Sequence, residues 1–206
     1  MNDESSAVAR RPSKNTLFAA NILSTVGHPL VLLPLTIALS LLGRLSGTRL
    51  IVVVAVFLVS TVIPMLFIIR RKVAAGIWTD MDVSDHGQRG GLYNVAVPII
   101  LISIVVFWLF EFPLGMIVGA LVSLALLLAG MAINRFSKIS MHAMFGAYCV
   151  VILVASSATF GLAAVVLVAG MSWSRVILGR HTIAQVIAGN LLGAMAGVLL
   201  LVLLKR

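Results

Sequence analysis

The sequence predicts an all-α fold, a polytopic transmembrane helical bundle of six or seven crossings, and three observations predict it. First, 61% of the 206 residues are hydrophobic and only 10% are charged, with a mean hydropathy of +1.17; a soluble domain carries about a quarter charged residues. Second, the apolar residues fall in runs long enough to cross a bilayer, which takes about 20 residues, and none alternates as a half-buried strand does. Third, 15 Lys and Arg stand against 6 Asp and Glu. Such an excess suits loops facing an anionic leaflet before it suits an anionic substrate. No polar segment is long enough to form a soluble basic face, so nucleic acid is not an expected partner. Cys149 stands alone in an apolar run, which rules out a disulfide or a cysteine metal site within the chain.

The elements follow in order. Residues 1–15, MNDESSAVARRPSKN, read as a disordered polar tail. They are too long and too acidic at the start for a signal-peptide n-region, and no small-residue cleavage pattern follows. Residues 16–206 read as a single transmembrane domain. Runs at 17–43, 50–69, 92–110, 114–133 and 182–204 qualify as spans. The first holds Pro29 and Pro34, so a kink is expected near its start, and His28 beside Pro29 reads as a helix-start residue rather than a ligand. The stretch 143–173 is too long for one span and breaks weakly at Ser156-Ser157 and Gly161. Two short spans of ~15 residues, each rising ~22 Å, fit it better. This gives seven crossings, or six if the first run does not cross. Gly189, Gly193 and Gly197 form a small-xxx-small ridge on the last helix, a close-packing surface and a candidate homodimer face.

Three polar islands interrupt the runs, at 70–91, 134–142 and 174–181. Two crossings separate each from the next, so all three belong to one membrane face. That face collects Arg10, Arg11, Lys14, Arg70, Arg71, Lys72 and Arg135, against Arg44, Arg49, Lys205 and Arg206 on the other. The positive-inside rule therefore places it in the cytoplasm and the protein in the cell (inner) membrane.

Ionisable groups at membrane depth are expensive and mark working sites. The third island offers Arg175, Arg180 and His181 before a helix carrying Gln185; positions 181 and 185 share one helix face, so the Gln185 carbonyl can accept the Nδ1 proton of His181 and leave Nε2 to attack. The second offers Lys138, Ser140 and His142, and the first Asp80, Asp82, Asp85, His86 and Arg89. Pooled on one face, these suit phosphoryl transfer through a phosphohistidine: basic side chains clamp phosphate oxygens, one His attacks, and another protonates the leaving alkoxide. Zinc is the competing chemistry, but the histidines lack helical ligand spacing with a carboxylate and the arginines would repel a cation. No metal and no cofactor are expected.

Ser174-Arg175, five residues, then His181 resembles the third motif of the type 2 phosphatidic acid phosphatase superfamily, Ser-Arg-x5-His-x3-Asp. Ser140-Met141-His142 is similar to its second motif, Pro-Ser-Gly-His. Asp82, six residues, then Arg89-Gly90 is similar to its first, Lys-x6-Arg-Pro. The resemblance covers roughly residues 80 to 190. It implies a membrane-embedded, metal-independent lipid phosphatase with His181 as nucleophile and His142 as general acid, Arg89, Arg175 and Ser140 binding phosphate. Ile139 and Met141 replace the proline and glycine of the second motif, Asp82 the lysine of the first, and Gln185 the aspartate of the third. Lys138 and Arg180 are further phosphate-binding candidates. Lys138 is expected to supply the lost lysine charge, with Asp82 orienting Lys138 or Arg180.

The expected substrate is a polyprenyl phosphate or diphosphate first, and phosphatidate or phosphatidylglycerol phosphate second, its tail entering between helices. The expected partners are thus this lipid phosphate and membrane lipids. The alternative is a non-catalytic lipid-phosphate binder or transporter that kept the anion site.

Overall fold

The computed structural model describes residues 12–205. Arg10, Arg11, Arg206 and residues 1–11 of the expected tail lie outside the described residues. At its other end the tail is shorter than expected: Ser13 accepts from the Thr16 amide at 3.1 Å and caps a helix that already contains Lys14.

Nine α-helical segments are found among the described residues, and no strand. α1 (Lys14–Val26) and α2 (Pro29–Leu41) are the two halves of the first run, bent by 53° at Gly27-His28. The break falls there because Pro29 lacks an amide proton and disfavours helical geometry at the residue before it. His28 is extended and caps α2, its Nδ1 accepting from Leu30 N at 3.1 Å. α3 (Gly47–Phe57) and α4 (Ile63–Ala74) are joined through a π-helical turn, Leu58–Val62, into one helix of 28 residues. Within it the Ser60 carbonyl is met by Ser103 Oγ at 3.1 Å, and the Thr61 hydroxyl lies 2.8 Å from the same Ser103 atom.

α5 (Arg89–Leu109) and α6 (Leu114–Asn134) form an antiparallel hairpin. α7 (Met141–Ser156) and α8 (Ala158–Ile177) divide the long run at Ser157, the weak break read in the sequence. α8 is longer than its expected ~15 residues and carries Ser174 and Arg175 on its last turn, so the third polar loop shrinks to the residues around Gly179 and Arg180. α9 (Ile183–Leu204) closes the bundle.

Five helices are long and apolar enough to cross a membrane, and the bent α1–α2 pair makes a sixth if taken as one broken span. The chain is therefore a multi-pass membrane protein. α7 is shorter, at 16 residues, but Ala143 and Met144 are wholly buried on it. Flanked by α2, α8 and α9, it need not match the bilayer by its own length.

The glycine ridge of α9 explains that burial, and it corrects one expectation. A Cβ on Gly189 would stand 2.7 Å from the Ser140 carbonyl oxygen, one on Gly193 would run into the Met144 backbone, and one on Gly197 would lie 2.6 Å from Val151 Cβ. Gly189, Gly193 and Gly197 thus dock α9 parallel to α7 of the same chain, and the homodimer expected through them has no free face to use. Small residues let the two backbones approach, and that approach sets His142 on α7 beside the loop that precedes α9.

Candidate functional site

The three polar islands meet at one end of the bundle, as the count of crossings requires. Each contact joins segments far apart in the chain. Arg89 Nη1 on the first turn of α5 donates to Asn134 Oδ1 at 3.1 Å and to the Ile139 carbonyl at 2.6 Å, and its Nη2 lies 3.3 Å from His181 Nε2. Arg175, 1% exposed, donates from Nη1 to Asp82 Oδ2 at 2.6 Å and to Ser24 Oγ at 2.7 Å. Arg180 Nη1 pairs with Asp80 Oδ2 at 2.9 Å, and Lys138 Nζ donates to the Arg180 carbonyl at 2.8 Å. Asp82, Arg89, Lys138, Ser140, His142, Arg175, Arg180, His181 and Gln185 all lie in this region.

His181 and Gln185 adopt the relation their spacing predicts. Thr182 caps α9, its hydroxyl accepting from Gln185 N, while Gln185 Oε1 accepts from Thr182 N at 3.2 Å and lies 3.1 Å from His181 Nδ1. An amide oxygen only accepts, so Nδ1 carries the imidazole proton. Guanidinium only donates, so the Arg89 contact requires a lone pair on Nε2. The tautomer is fixed from both sides, with the lone pair of Nε2 turned towards an arginine. Burial, followed by the positive charge of Arg89, lowers the His181 pKa to about 3, against a smaller opposing effect of Gln185. The ring is therefore neutral at every pH of interest.

A stability consequence follows. Unfolded, His181 takes up a proton near its usual value of 6.5, whereas folded it does so only near 3. Between these values the unfolded state binds more protons, so this residue removes stability as pH falls from about 6.5 towards about 3. His181→Gln should accordingly show a smaller drop in melting temperature between neutral pH and pH 4 than the wild type. Identical pH dependence in the two proteins would contradict the buried neutral ring.

Three positions differ from their expected roles. Asp82 orients neither Lys138 nor Arg180. Its carboxylate belongs to Arg175, and Asp80 holds Arg180. Lys138 is tied to a backbone carbonyl, and burial, then Arg89, Arg175 and Arg180, lower its pKa. It contributes charge to the site without being aimed freely at a ligand. Ser140 is fully buried and caps α7, its Oγ accepting from Ala143 N at 3.4 Å, so its oxygen already has a structural use.

The loop that delivers the acids is tightly specified. Asp80 Oδ1 accepts from the amides of Asp82 and Ser84 at 2.8 and 3.3 Å. Burial raises the Asp80 pKa, but Arg180 and these amides outweigh it and hold the carboxyl below its ordinary value. Val83, directly after Asp82, sits in the left-handed region at φ 46° and is 1% exposed. A β-branched residue there costs on the order of 1–3 kcal/mol and persists only where packing over-determines it. The anchoring of Val83 is what aims Asp82 inward.

Sequence reasoning missed His28. Its Nε2 lies 3.8 Å from Asp82 Oδ1, and His142 Nε2 stands 3.7 Å from the same oxygen. The available signal was a histidine inside an apolar run, discounted because its helix-start role is also real. Asn134 and Ser24, which hold the two arginines, were missed as well.

His28, Asp82 and His142 are also residues of metal-ligand type, with one ligand atom from each all within 4.8 Å of one another. Spacing along one helix does not find this trio, because it comes from three separate segments. A cation there competes with Arg175 for the same carboxylate and faces the charge of Arg89 and Lys138. The donor set favours an anion. Arg89 Nε, Arg175 Nε and His142 Nε2 are buried and have no hydrogen-bond partner.

Beneath His28, Asp82 and His142 a cavity of about 330 Å³ extends between α2, α5, α6, α7 and α9 towards Arg44 and Leu204 at the opposite end. Its walls are mainly apolar, with Leu33, Ala96, Phe145 and Leu200 among them.

Comparison with protein-family models, with curated proteins and with solved structures gives no match for this chain.

Proposed function

We propose that the protein is a membrane phosphatase that hydrolyses a lipid phosphate or diphosphate through a phosphohistidine on His181, without a metal ion. The observation that carries this reading is the set of buried, unpartnered donors on Arg89, Arg175 and His142 around a histidine whose tautomer leaves Nε2 as the nucleophile. A buried donor without an acceptor costs about 1–3 kcal/mol, and the oxygens of a phosphate are acceptors. Arginine forks match phosphate oxygens and neutralise them, which is how electrostatic stabilisation of phosphoryl transfer proceeds without a Lewis acid.

His181 Nε2 attacks phosphorus and displaces the lipid alkoxide, which takes a proton from His142; water then releases phosphate from His181. Arg89 releases the Nε2 lone pair as its guanidinium turns to the arriving phosphate. Lys138 and Arg180 add positive charge at the rim. A polyprenyl phosphate or diphosphate is the preferred substrate, ahead of phosphatidate or phosphatidylglycerol phosphate, because an apolar cavity under His142 runs towards the other end of the bundle and suits one long chain. The resemblance to the type 2 phosphatidic acid phosphatases supports the same chemistry, and the positive-inside rule supports a cytoplasmic site in the cell membrane.

The deciding experiment is phosphate release from a panel of lipid phosphates by the detergent-solubilised protein, with excess chelator present. Turnover is expected to continue; complete inhibition reversed by zinc or magnesium overturns the mechanism. Gln185, a neutral group behind the nucleophile, favours one other reading, a lipid-phosphate binder without turnover. Saturable binding of the same lipids with no burst of phosphate would establish that instead.

The cavity adds a chain-length test. Ala96→Phe fills the wall two turns below Arg89. It should lower kcat/KM roughly tenfold or more for a long-chain substrate, the scale of losing several methylene contacts, while leaving a short-chain phosphate near wild type. Equal loss on both would place the tail elsewhere.

A further inference from the structure

We propose that His28 and Asp82 are positioning residues for His142, with Asp82 holding that ring in its protonated form and His28 holding Asp82. This rests on the reading of His142 as general acid and goes beyond it, since His28 lies outside the motifs that the chain resembles and Asp82 stands where the first of them has a lysine.

The geometry is that of one carboxylate oxygen facing two imidazoles that touch each other. Asp82 Oδ1 lies 3.8 Å from His28 Nε2 and 3.7 Å from His142 Nε2, while Oδ2 is fixed by Arg175 at 2.6 Å. His28 Nδ1 accepts from the Leu30 amide, so the proton of its neutral ring is on Nε2 and faces the carboxylate. The two rings meet edge to face, 4.8 Å between centroids at 87°. His28 cannot readily withdraw. The adjoining Gly27 packs against Met171 so closely that a Cβ there would collide, which pins the break between α1 and α2 to α8. His142 Nε2 is buried with no hydrogen-bond partner, and Asp82 is the acid it faces.

The other ionisable groups around His142 are Arg175 on α8, Arg89 on α5, His28, and His181 ahead of α9. Burial opposes a proton on the His142 ring most, and these neighbours oppose it further, the Arg175 guanidinium foremost among them. A general acid must carry that proton when the leaving group departs. As the P–N bond to His181 forms and the P–O bond to the lipid breaks, His142 gives a ring proton to the alkoxide oxygen. In the second step the same ring takes a proton from the attacking water, and the P–N electron pair returns to His181. An opposite charge within about 4–6 Å favours the charged form. The aspartate standing where the resembled motif has a lysine thus serves the general acid and not the phosphate.

The test combines a titration with a leaving-group comparison. In the detergent-solubilised protein with 15N-labelled histidine, the His142 resonance, assigned by its loss in His142→Gln, is titrated by NMR in the wild type, Asp82→Asn and His28→Gln. Its pKa should fall by about one unit or more in Asp82→Asn, and in the same direction in His28→Gln. In turnover, His28→Gln should slow an alkyl phosphate about tenfold, spare p-nitrophenyl phosphate, whose leaving group needs no proton, and add nothing in a His142→Ala background. An unmoved titration, or equal slowing of both substrates, overturns the proposal. So does stoichiometric zinc held by the wild type, required for turnover and lost in His28→Gln, since the trio would then be a metal centre. The titration needs no turnover. An inactive wild type therefore fails the phosphatase reading alone, and an unmoved titration fails this one alone.

Discussion

His181→Ala is expected to abolish covalent phosphoryl labelling and to reduce lipid-phosphate hydrolysis to background, a loss of roughly 10⁴-fold or more. Among the described residues, only His181 presents a buried imidazole with Nδ1 committed to an acceptor and Nε2 facing a guanidinium. Rapid-quench labelling with a 32P-lipid phosphate should give an acid-labile, base-stable adduct in the wild type. It should also accumulate in His142→Ala when the leaving group is activated, because the second step then lacks its base. Label that survives His181→Ala would remove this residue from the chemistry. His181→Gln keeps a polar side chain beside Gln185 and serves as the folding control by thermal melt.

The second large effect is expected at Arg89. Arg89→Lys keeps the charge, but one ammonium cannot reach Asn134 on α6, the Ile139 carbonyl before α7 and His181 before α9 together. The guanidinium is the brace across those three segments, and on the reading above it is also a phosphate ligand. Turnover should fall by about 10²–10³-fold, the scale of losing one preorganised contact to a transferring group. The loss should appear in kcat as well as in KM. A shift in KM alone would restrict Arg89 to ground-state binding.

Much of the arrangement was legible in the sequence, for identifiable reasons. Hydropathy located the spans, because the bilayer imposes a minimum run length and each run ends close to an ionisable residue or a proline, with 143–173 also broken at Ser157. Counting crossings then put Asp82, Arg89, Lys138, His142 and His181 on one face, since parity needs no knowledge of packing. The His181–Gln185 contact was readable because four residues make one helical turn. What was not legible depends on distant packing. Asp82 and Arg175 are 93 positions apart, and nothing local decides that Asp82 meets Arg175 while Asp80 meets Arg180. His28 was hidden by its second duty as a cap. The glycines of α9 signalled a close approach, but a sequence does not say whether the approaching helix belongs to the same chain.

The π turn at Leu58–Val62 changes how variation in this protein should be weighed. A turn closed by i→i+5 bonds encloses one residue more than an α turn, so α4 is rotated relative to the direction α3 alone would give it. Removing a single apolar residue there would leave hydropathy and span length almost untouched. The turn would then close as ordinary α-helix, and everything downstream would keep nearly its present orientation around the helix axis. The same deletion within α4 has no extra residue to absorb it. It would turn the following segment by about 100°, taking Ile69, now 3% exposed, out of the core and swinging the segment that reaches Trp78, Asp80 and Asp82. Insertions and deletions in a lipid-facing helix are usually read as neutral spacing. In this one the residue count itself is a determinant of where two carboxylates stand, and a substitution-only comparison of sequences would not register it.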